Sequence, residues 1–389
     1  MQSEQNEQLT SHLLKNYARY EIYFSHGEGA YLYDTNGNKY LDFLCGIAVT
    51  SFGHNHPVIK SAIKEQLDKF WHLSNLFVSS LQEDVANTLA ARTGMEYVFF
   101  SNSGTEANEA AIKFTRKWGN GRYGIISTLK SFHGRTMGAV SASGQEKLWK
   151  GFYPLLEGFS YVPYNDLEAI RAAINGNTAA VIIEPIQGEG GIAVASEEYL
   201  KGLRKICDEH NLLLIFDEIQ CGFGRTGKLF AHQWAGVKPD ILTSAKGIAN
   251  GLPLGATLCT KAVGDLMTPG SHGTTFGGNP VALAASKAVL DLLNDDMLIN
   301  IRSNGEYFMG LLKDIKHKAI TEVRGKGLMI GVEFKNEVSP KDVLKKLMEH
   351  NILSATAGDT VLRILPPFVA GKEEFHYYAK TLTEVLAEF

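Results

Sequence analysis

Between about residues 80 and 260 the chain alternates short, unbroken apolar runs with stretches of helical period, and this alternation restricts the architecture more than any other feature. The runs are YVFF (97–100), YGIIS (123–127), AAVIIEPI (179–186), LLLIF (212–216), DILTSA (240–245) and LGATLCT (254–260). Runs of this continuous kind suit strands buried on both faces, as in a parallel sheet. Helical patterns fill the gaps. Ala107, Ala111, Phe114 and Trp118 recur at helical spacing in GTEANEAAIKFTRKW, as do Leu200, Leu203 and Cys207 in EEYLKGLRKICDEH. The order predicts an α/β sandwich with ligands at the carboxyl ends of the strands.

After about residue 285 the texture changes. NPVALAASKAVLDLL reads as a long helix, followed by a strand (GLMIGVEF), a helix (SPKDVLKKLMEH), a hairpin-like stretch (TVLRILPPF) and a terminal helix (EEFHYYAKTLTEVLAEF). This predicts a smaller α+β unit. GAYLYDTNGNKYLDF, a hairpin around Asn36-Gly37, would pack onto it. The expected division is a large unit over 47–288 and a small one from 1–46 and 289–389.

A chain of 389 residues, 44% hydrophobic, buries a core large enough to need no disulfide or metal. Net charge is −4 with Lys and Arg scattered, so no footprint for nucleic acid is present. No apolar run reaches the roughly 18 residues of a membrane span. The N-terminal MQSEQNEQLTSHLLKNY lacks the core of a signal peptide and the Arg-rich pattern of a transit peptide. Cys45, Cys207, Cys221 and Cys259 lie far apart without a CxxC, which suggests neither a metal site nor a disulfide framework. A reduced, cytoplasmic setting is expected.

Four stretches carry chemistry. In SNSGTEANEAA (101–111), Ser103, Gly104 and Thr105 would offer backbone N–H groups and hydroxyls to a phosphate at a helix N-terminus. An ordinary cap, with Ser103 at the N-cap and Glu106 completing a capping box, accounts for the same residues. Neither GxGxxG nor GxxxxGK[ST] occurs. In SFHGRT (131–136), Phe132 and His133 would cover a planar ring and Arg135 would hold a carboxylate through two hydrogen bonds. A surface arginine beside a buried phenylalanine is the plainer reading. IIEPIQGEGG (182–191) and FDEIQCGFGRTG (216–227) each end an apolar run with carboxylates: Glu184 and Glu189 in the first, Asp217 and Glu218 in the second. Lys246 in TSAKGIANGLPLGA (243–256) follows a strand of apolar and small residues. Partial desolvation there would favour the neutral amine that forms a Schiff base. A solvated loop lysine is the alternative. Gathered at one sheet edge, an aromatic cover, a phosphate cup, a buried carboxylate and such a lysine are what pyridoxal 5'-phosphate requires. Its ring draws electrons only while the ring nitrogen stays protonated, and a carboxylate such as Asp217 keeps it so.

The motifs GEGAYLYDTNGNKYLDF, GHNHP, SNSGTEANEAAIK, SFHGRT, EPIQGEGG, FDEIQCGFGRTG, PDILTSAKGIANGLPLGA, HGTTFGGNP and RILPPF run in order over nearly the whole length. In them the chain resembles the class III (ω-type) aminotransferases of the fold-type I pyridoxal-phosphate superfamily. SFHGRTMGAVSASGQEKLWKGFYPLLEGFSYVPYND and GSHGTTFGGNP are most similar to the acetylornithine aminotransferases of that class. The resemblance implies a large domain with a mostly parallel seven-stranded sheet in an α/β/α sandwich, plus a smaller α+β domain drawn from both termini.

It implies that Lys246 carries the cofactor and moves the proton, that Asp217 pairs with the pyridinium, and that Gln220 lies near the phenolic oxygen. Ser103, Gly104 and Thr105 would hold the phosphate, and Phe132 would stack on the ring. Thr275 would reach the partner subunit's phosphate, which implies a homodimer with shared active sites. Arg135 would bind the donor α-carboxylate, with Tyr17 and Thr274 in the same pocket. Glu189 and Arg363 would form a switch that admits two substrates in turn. The implied reaction moves the distal amino group of N2-acetylornithine to 2-oxoglutarate, giving N-acetylglutamate 5-semialdehyde and glutamate, in arginine synthesis. Ornithine, succinylornithine, 4-aminobutyrate and an N-acylated lysine precursor are the alternative donors. An epimerase or mutase, or a non-catalytic binding protein, is the alternative outside transamination. Tyr23 and Phe24 depart from the resemblance, standing where smaller apolar residues are expected in a wall of the donor pocket.

Overall fold

The apolar runs become the strands of one seven-stranded sheet in the computed structural model, which describes residues 12–389. Across the sheet the order is Tyr97–Ser101, Gly255–Cys259, Ile241–Ser244, Leu213–Asp217, Thr178–Ile183, Gly124–Thr128 and Phe159–Val162. All are parallel except Gly255–Cys259, which runs antiparallel to both neighbours. Strand Leu213–Asp217 shows why its run is continuous. Leu213 and Ile215 pack into one core with Ala110, Ala111 and Phe114, whereas Leu214 and Phe216 pack into another with Leu200, Leu203 and Cys207. Successive side chains face opposite sides, so a sheet covered by helices on both faces needs apolar residues at every position. The expected sandwich is formed.

Two departures from the expected strands have local causes. The run at 179–186 stops pairing in the main sheet at Ile183, and Ile186–Gln187 pairs instead with Ala193–Val194. Pro185 between them has no N–H for the ladder. Phe159–Val162 is an edge strand with only Val162 buried, so no apolar run marks it.

Outside this sheet, Phe24–Glu28, Tyr31–Asp34 and Lys39–Asp42 form an antiparallel meander, its turn at Gly37 with φ +85°. Ile352–Leu353 adds to it in parallel. A second small sheet, wholly antiparallel, orders Ile320–Lys326, Met329–Phe334, Val361–Ile364 and Ala355–Ala357. Phe43 joins the first segment to the C-terminal helices, its ring 5.7 Å from Phe308 and 5.2 Å from Tyr378. Helices Pro280–Leu292, Pro340–Glu349 and Lys372–Leu386 stand where the periodicity predicts. Helix Asp295–Lys313 and strand Ile320–Lys326 have no counterpart in the sequence reading. Gly305 interrupts the helix's apolar face, and it is needed there because a Cβ would lie 2.3 Å from the Gly327 carbonyl oxygen. No helix among the described residues is long and apolar enough to cross a membrane.

Candidate active site

The carboxyl ends of the central strands surround a cavity of about 380 Å³. Its lining includes Ser103, Gly104, Thr105, Phe132, Arg135, Asp217, Gln220 and Lys246, eight of the thirteen residues singled out above. Clefts of about 460, 470, 730 and 770 Å³ are larger, and of the thirteen they contain only Thr274.

Helix Gly104–Trp118 begins at the cavity. The cap expected as an alternative exists: Ser103 Oγ accepts from the Glu106 amide at 3.3 Å, and the Asn102 amide donates to Glu106 Oε2 at 2.5 Å. It leaves the amides of Gly104 and Thr105 with no carbonyl one turn back within the helix. The cap therefore leaves these two amides available at the cavity. A Cβ at position 104 would lie 2.8 Å from Ile219 Cδ1, so only glycine lets the helix start this close to the strand-end loop. Thr105 Oγ1 accepts from the amides of Arg135 and Thr136, both at 3.2 Å, and fixes the SFHGRT turn against the helix. Phe132 is half-buried and Arg135 exposed, its guanidinium 5.5 Å from the Phe132 ring centre.

Asp217 ends its strand, and Glu218, the next residue, points the other way. Asp217 is 3% exposed and lines the cavity. Its Oδ2 accepts from His133 Nδ1 and from Asn108 Nδ2, each at 2.7 Å, and its Oδ1 from the Ile219 amide at 3.1 Å. Asn108 is itself fixed, donating to the His133 carbonyl at 2.7 Å and accepting from Thr243 Oγ1 at 2.8 Å. Glu218 turns away, fully buried, and accepts from the His232 amide at 2.8 Å and His232 Nδ1 at 2.7 Å. It secures the loop beyond the strand, and Asp217 serves the cavity.

The electrostatics follow from burial and neighbours. Burial pushes the Glu184 carboxyl up to about 7, opposed by the nearby His133 and reinforced by Asp217. Burial alone would lower the His133 pKa, but the hydrogen bond and charge of Asp217 raise it. Lys246 is half-buried at φ +49°, directly after strand Ile241–Ser244. Burial lowers its pKa, Glu189 opposing and Arg363 adding to the effect. A lysine in this state supplies a neutral amine more readily than a solvated one.

Glu189 and Arg363 meet beside the cavity. Arg363 is buried, and its Nη1 donates to Glu189 Oε1 at 2.5 Å and to Gln220 Oε1 at 3.1 Å. The pairing read from sequence is present as a contact.

Like Glu189 and Arg363, the other three singled-out residues lie outside the cavity lining. Thr275 is exposed. Thr274 Oγ1 is engaged within its own loop, accepting from the Gly277 amide at 3.2 Å and Asn102 Nδ2 at 3.3 Å. Tyr17 is 69% exposed, near Arg19. Tyr23 is exposed and Phe24 stands edge-on to Tyr40, so neither lines the cavity within this chain. Asn108 and Ile219 belong to the site without having been singled out. A polar residue beside Ala107 and Ala111 on a helix's apolar face signals the first.

The residues fit pyridoxal phosphate by the chemistry of their groups. The cavity gathers two helix-start amides for a phosphate, a buried carboxylate held by two donors on one oxygen, an amine of lowered pKa, and the apolar Phe132 and Ile219.

The family model "Aminotransferase class-III" matches residues 14–386. The chain is 46% identical to the acetylornithine aminotransferase of Methanocaldococcus jannaschii, over 96% of each protein. It is 47% identical to that of Caldanaerobacter subterraneus subsp. tengcongensis, over 97% of this chain and 98% of the relative. Among solved structures, the ornithine aminotransferase of Toxoplasma gondii ME49 superimposes with a TM-score of 0.93 at 34% identity, covering 97% of this chain and 93% of that one. The N-acetylornithine aminotransferase of Stenotrophomonas maltophilia K279a gives 0.84 at 34%, covering 96% and 97%.

Proposed function

The chain belongs to the class-III aminotransferases, which are pyridoxal-phosphate enzymes, and on that premise we propose that it transfers the distal amino group of N2-acetylornithine to 2-oxoglutarate. The products are N-acetylglutamate 5-semialdehyde and glutamate. One observation carries the choice of donor: identity of 46–47% over nearly the full length to two acetylornithine aminotransferases. The cavity supports it. Its lining carboxylates are Asp217 and Glu184, and both already accept hydrogen bonds from the protein. A free α-ammonium, as in ornithine, would find no spare carboxylate in the lining. An acylated, neutral nitrogen needs none.

Bound in the cavity, pyridoxal phosphate supplies an aldehyde that takes up the amino group and a ring that draws electrons from the carbon losing its proton. With that group bound, Lys246 would hold it through the aldehyde carbon, and its amine would carry the proton moved in the transfer. Its lowered pKa suits it to act as the base. Asp217 would pair with the ring nitrogen, and the two donors on its Oδ2 keep the carboxylate aimed. The Gly104 and Thr105 amides, with Ser103 nearby, would hold the phosphate, Phe132 would cover the ring and Gln220 would lie by its oxygen. Arg135 at the cavity wall takes the donor α-carboxylate and so directs the distal amine inward. Glu189 neutralises Arg363 while the donor is bound and releases it to the α-carboxylate of 2-oxoglutarate.

The proposal includes a homodimer in the cytoplasm, with the large and small units divided as expected from sequence. Trp71, Leu76, Phe77, Val78 and Phe276 are exposed apolar residues on two neighbouring segments, joined where Asn75 Nδ2 donates to the Thr274 and Gly277 carbonyls. An exposed apolar surface of this kind seeks a partner, and Thr275 lies within it.

Ornithine is the second reading, favoured by the higher TM-score to the Toxoplasma enzyme. Initial rates with acetylornithine, ornithine, succinylornithine and 4-aminobutyrate against 2-oxoglutarate separate the two. The highest kcat/KM is expected for acetylornithine, and a preference for free ornithine overturns the assignment.

A further inference from the structure

Three residues stand abreast across the second small sheet: Arg324 is opposite Gly331, and Gly331 is opposite Arg363. Directly opposed residues of antiparallel strands project to the same face, so two guanidinium groups flank a glycine. The loop carrying Glu189 lies on that face. Arg363 reaches the Glu189 carboxylate, while Arg324 Nε and Nη2 donate to the Gly191 carbonyl at 3.0 and 2.7 Å. Between them, Ile192 covers Gly331, where a Cβ would come within 3.0 Å of the Ile192 Cβ.

The two arginines differ in what balances them. Arg324 Nη1 donates to Glu322 and Glu333 of its own sheet, so its charge is met without the loop. Arg363 has Glu189 as its carboxylate partner among the described residues. Substrate carboxylates would therefore compete for Arg363 and leave Arg324 in place. The loop itself has little slack. Gly191 has φ +96°, the fully buried Ile192 has φ +52°, and a Cβ at Gly188 would lie 2.3 Å from the Gln220 amide.

We propose that Arg324 is a positioning residue for substrate exchange: it pins the loop backbone at Gly191, so that Glu189 leaves and rejoins Arg363 by side-chain rotation alone. This rests on the reading of Glu189 and Arg363 as the switch. A pinned loop keeps the local concentration of the Glu189 carboxylate at Arg363 high, because its ordering is already met by the fold. Removing the pin frees the loop more in the unpaired state than in the paired one. The equilibrium then shifts toward an open Arg363.

Calorimetric titration of the holoenzyme with glutarate, a dicarboxylate with no amino or keto group to react, tests this at equilibrium. Glutarate has to displace Glu189 to reach Arg363. Arg324→Gln is expected to bind it about fivefold more tightly than the parent, with Arg324→Lys between the two. Glu189→Gln is expected to bind it at least as tightly as Arg324→Gln. In parallel, Arg324→Gln should raise the donor KM more than it lowers kcat. If Glu189→Gln gains affinity and Arg324→Gln does not, the pin is refuted and the switch stands. If Glu189→Gln gains nothing, the switch reading falls and the pin with it. Should Arg324→Gln fail to fold, Arg324→Lys decides, and a parental dissociation constant for it overturns the proposal.

Discussion

His133 Nδ1 stands 2.7 Å from Asp217 Oδ2, an oxygen that also receives Asn108 Nδ2 at the same distance. His133 is 2% exposed and Asn108 0%, so neither bond competes with water. Two donors on one buried oxygen fix the direction of the carboxylate. Asp217 is thus supported from SFHGRT and from the helix that starts at the cavity, two segments distant in sequence.

His133→Ala should lower kcat by about tenfold, the loss of one charge-assisted hydrogen bond of about 1.5 kcal/mol. His133→Asn, whose Nδ2 can stand in for the imidazole Nδ1–H, should recover most of it. Steady-state kinetics of both holoenzymes check the pair. Equal losses in the two variants would mean that the ring's bulk matters and its donor does not.

Glu184 gives a pH dependence with a definite sign. Its carboxyl titrates near 7 in the folded chain against 4.5 for a free glutamate, so between those values the folded state binds more protons than the unfolded one. Its contribution to stability is complete below pH 4.5 and is lost as pH rises to 7. His133, with a raised pKa, extends the decline above 6.5. Thermal unfolding followed from pH 4.5 to 7 should show Glu184→Gln with a flatter Tm profile than the parent.

Much of this site is legible in sequence because it sits where apolar runs end. Asp217 and Lys246 each follow such a run directly, Phe132 comes five residues after another, and a parallel sheet brings those ends to one edge. Asn108 is harder to read, since its role depends on Thr243 and His133 meeting it from a distant strand and a loop. Arg324 is harder still. Its alignment with Arg363 is a register across three strands, and Ile320–Lys326, partly exposed at an edge, has no apolar pattern that marks it as a strand. The edge strand Phe159–Val162 escapes for the same reason, and helix Asp295–Lys313 because Gly305 serves a close backbone contact at the expense of helical pattern.

Arg135 is exposed at the cavity, and its backbone is set by Thr105. Arg135→Ala should therefore leave the fold intact and raise the donor KM by about ten- to a hundredfold, through loss of a charge-assisted contact to the α-carboxylate. Arg135→Lys keeps the charge but not the paired geometry and should recover only part. A fall in kcat with KM unchanged would argue against this role.

Gly104→Ala tests the contact between the helix start and the strand-end loop. The added Cβ would meet Ile219 at 2.8 Å, and Ile219 lies two residues from Asp217 with its amide on the Asp217 carboxylate. Relief of the clash would shift the phosphate amides and the carboxylate relative to each other. Cofactor retention under dialysis, followed by its absorbance, should weaken by about tenfold with little change in Tm. Undiminished retention would place the phosphate elsewhere.

Thr275 offers a test of the shared site that needs no structure of the dimer. If each site takes Lys246 from one subunit and Thr275 from the other, Lys246→Ala and Thr275→Asp homodimers should each be inactive or nearly so. In a mixed dimer both defects fall in one site, and the second site has Lys246 from the Thr275→Asp chain and Thr275 from the Lys246→Ala chain. Unfolding and refolding an equal mixture should restore activity to about a quarter of the wild-type value, since about half the dimers are mixed and each carries one intact site. If Thr275 instead serves its own subunit, the mixed dimer has one defect in each site and no activity returns. The exposure of Thr275 in its own chain, outside the cavity lining, is what leads us to expect recovery.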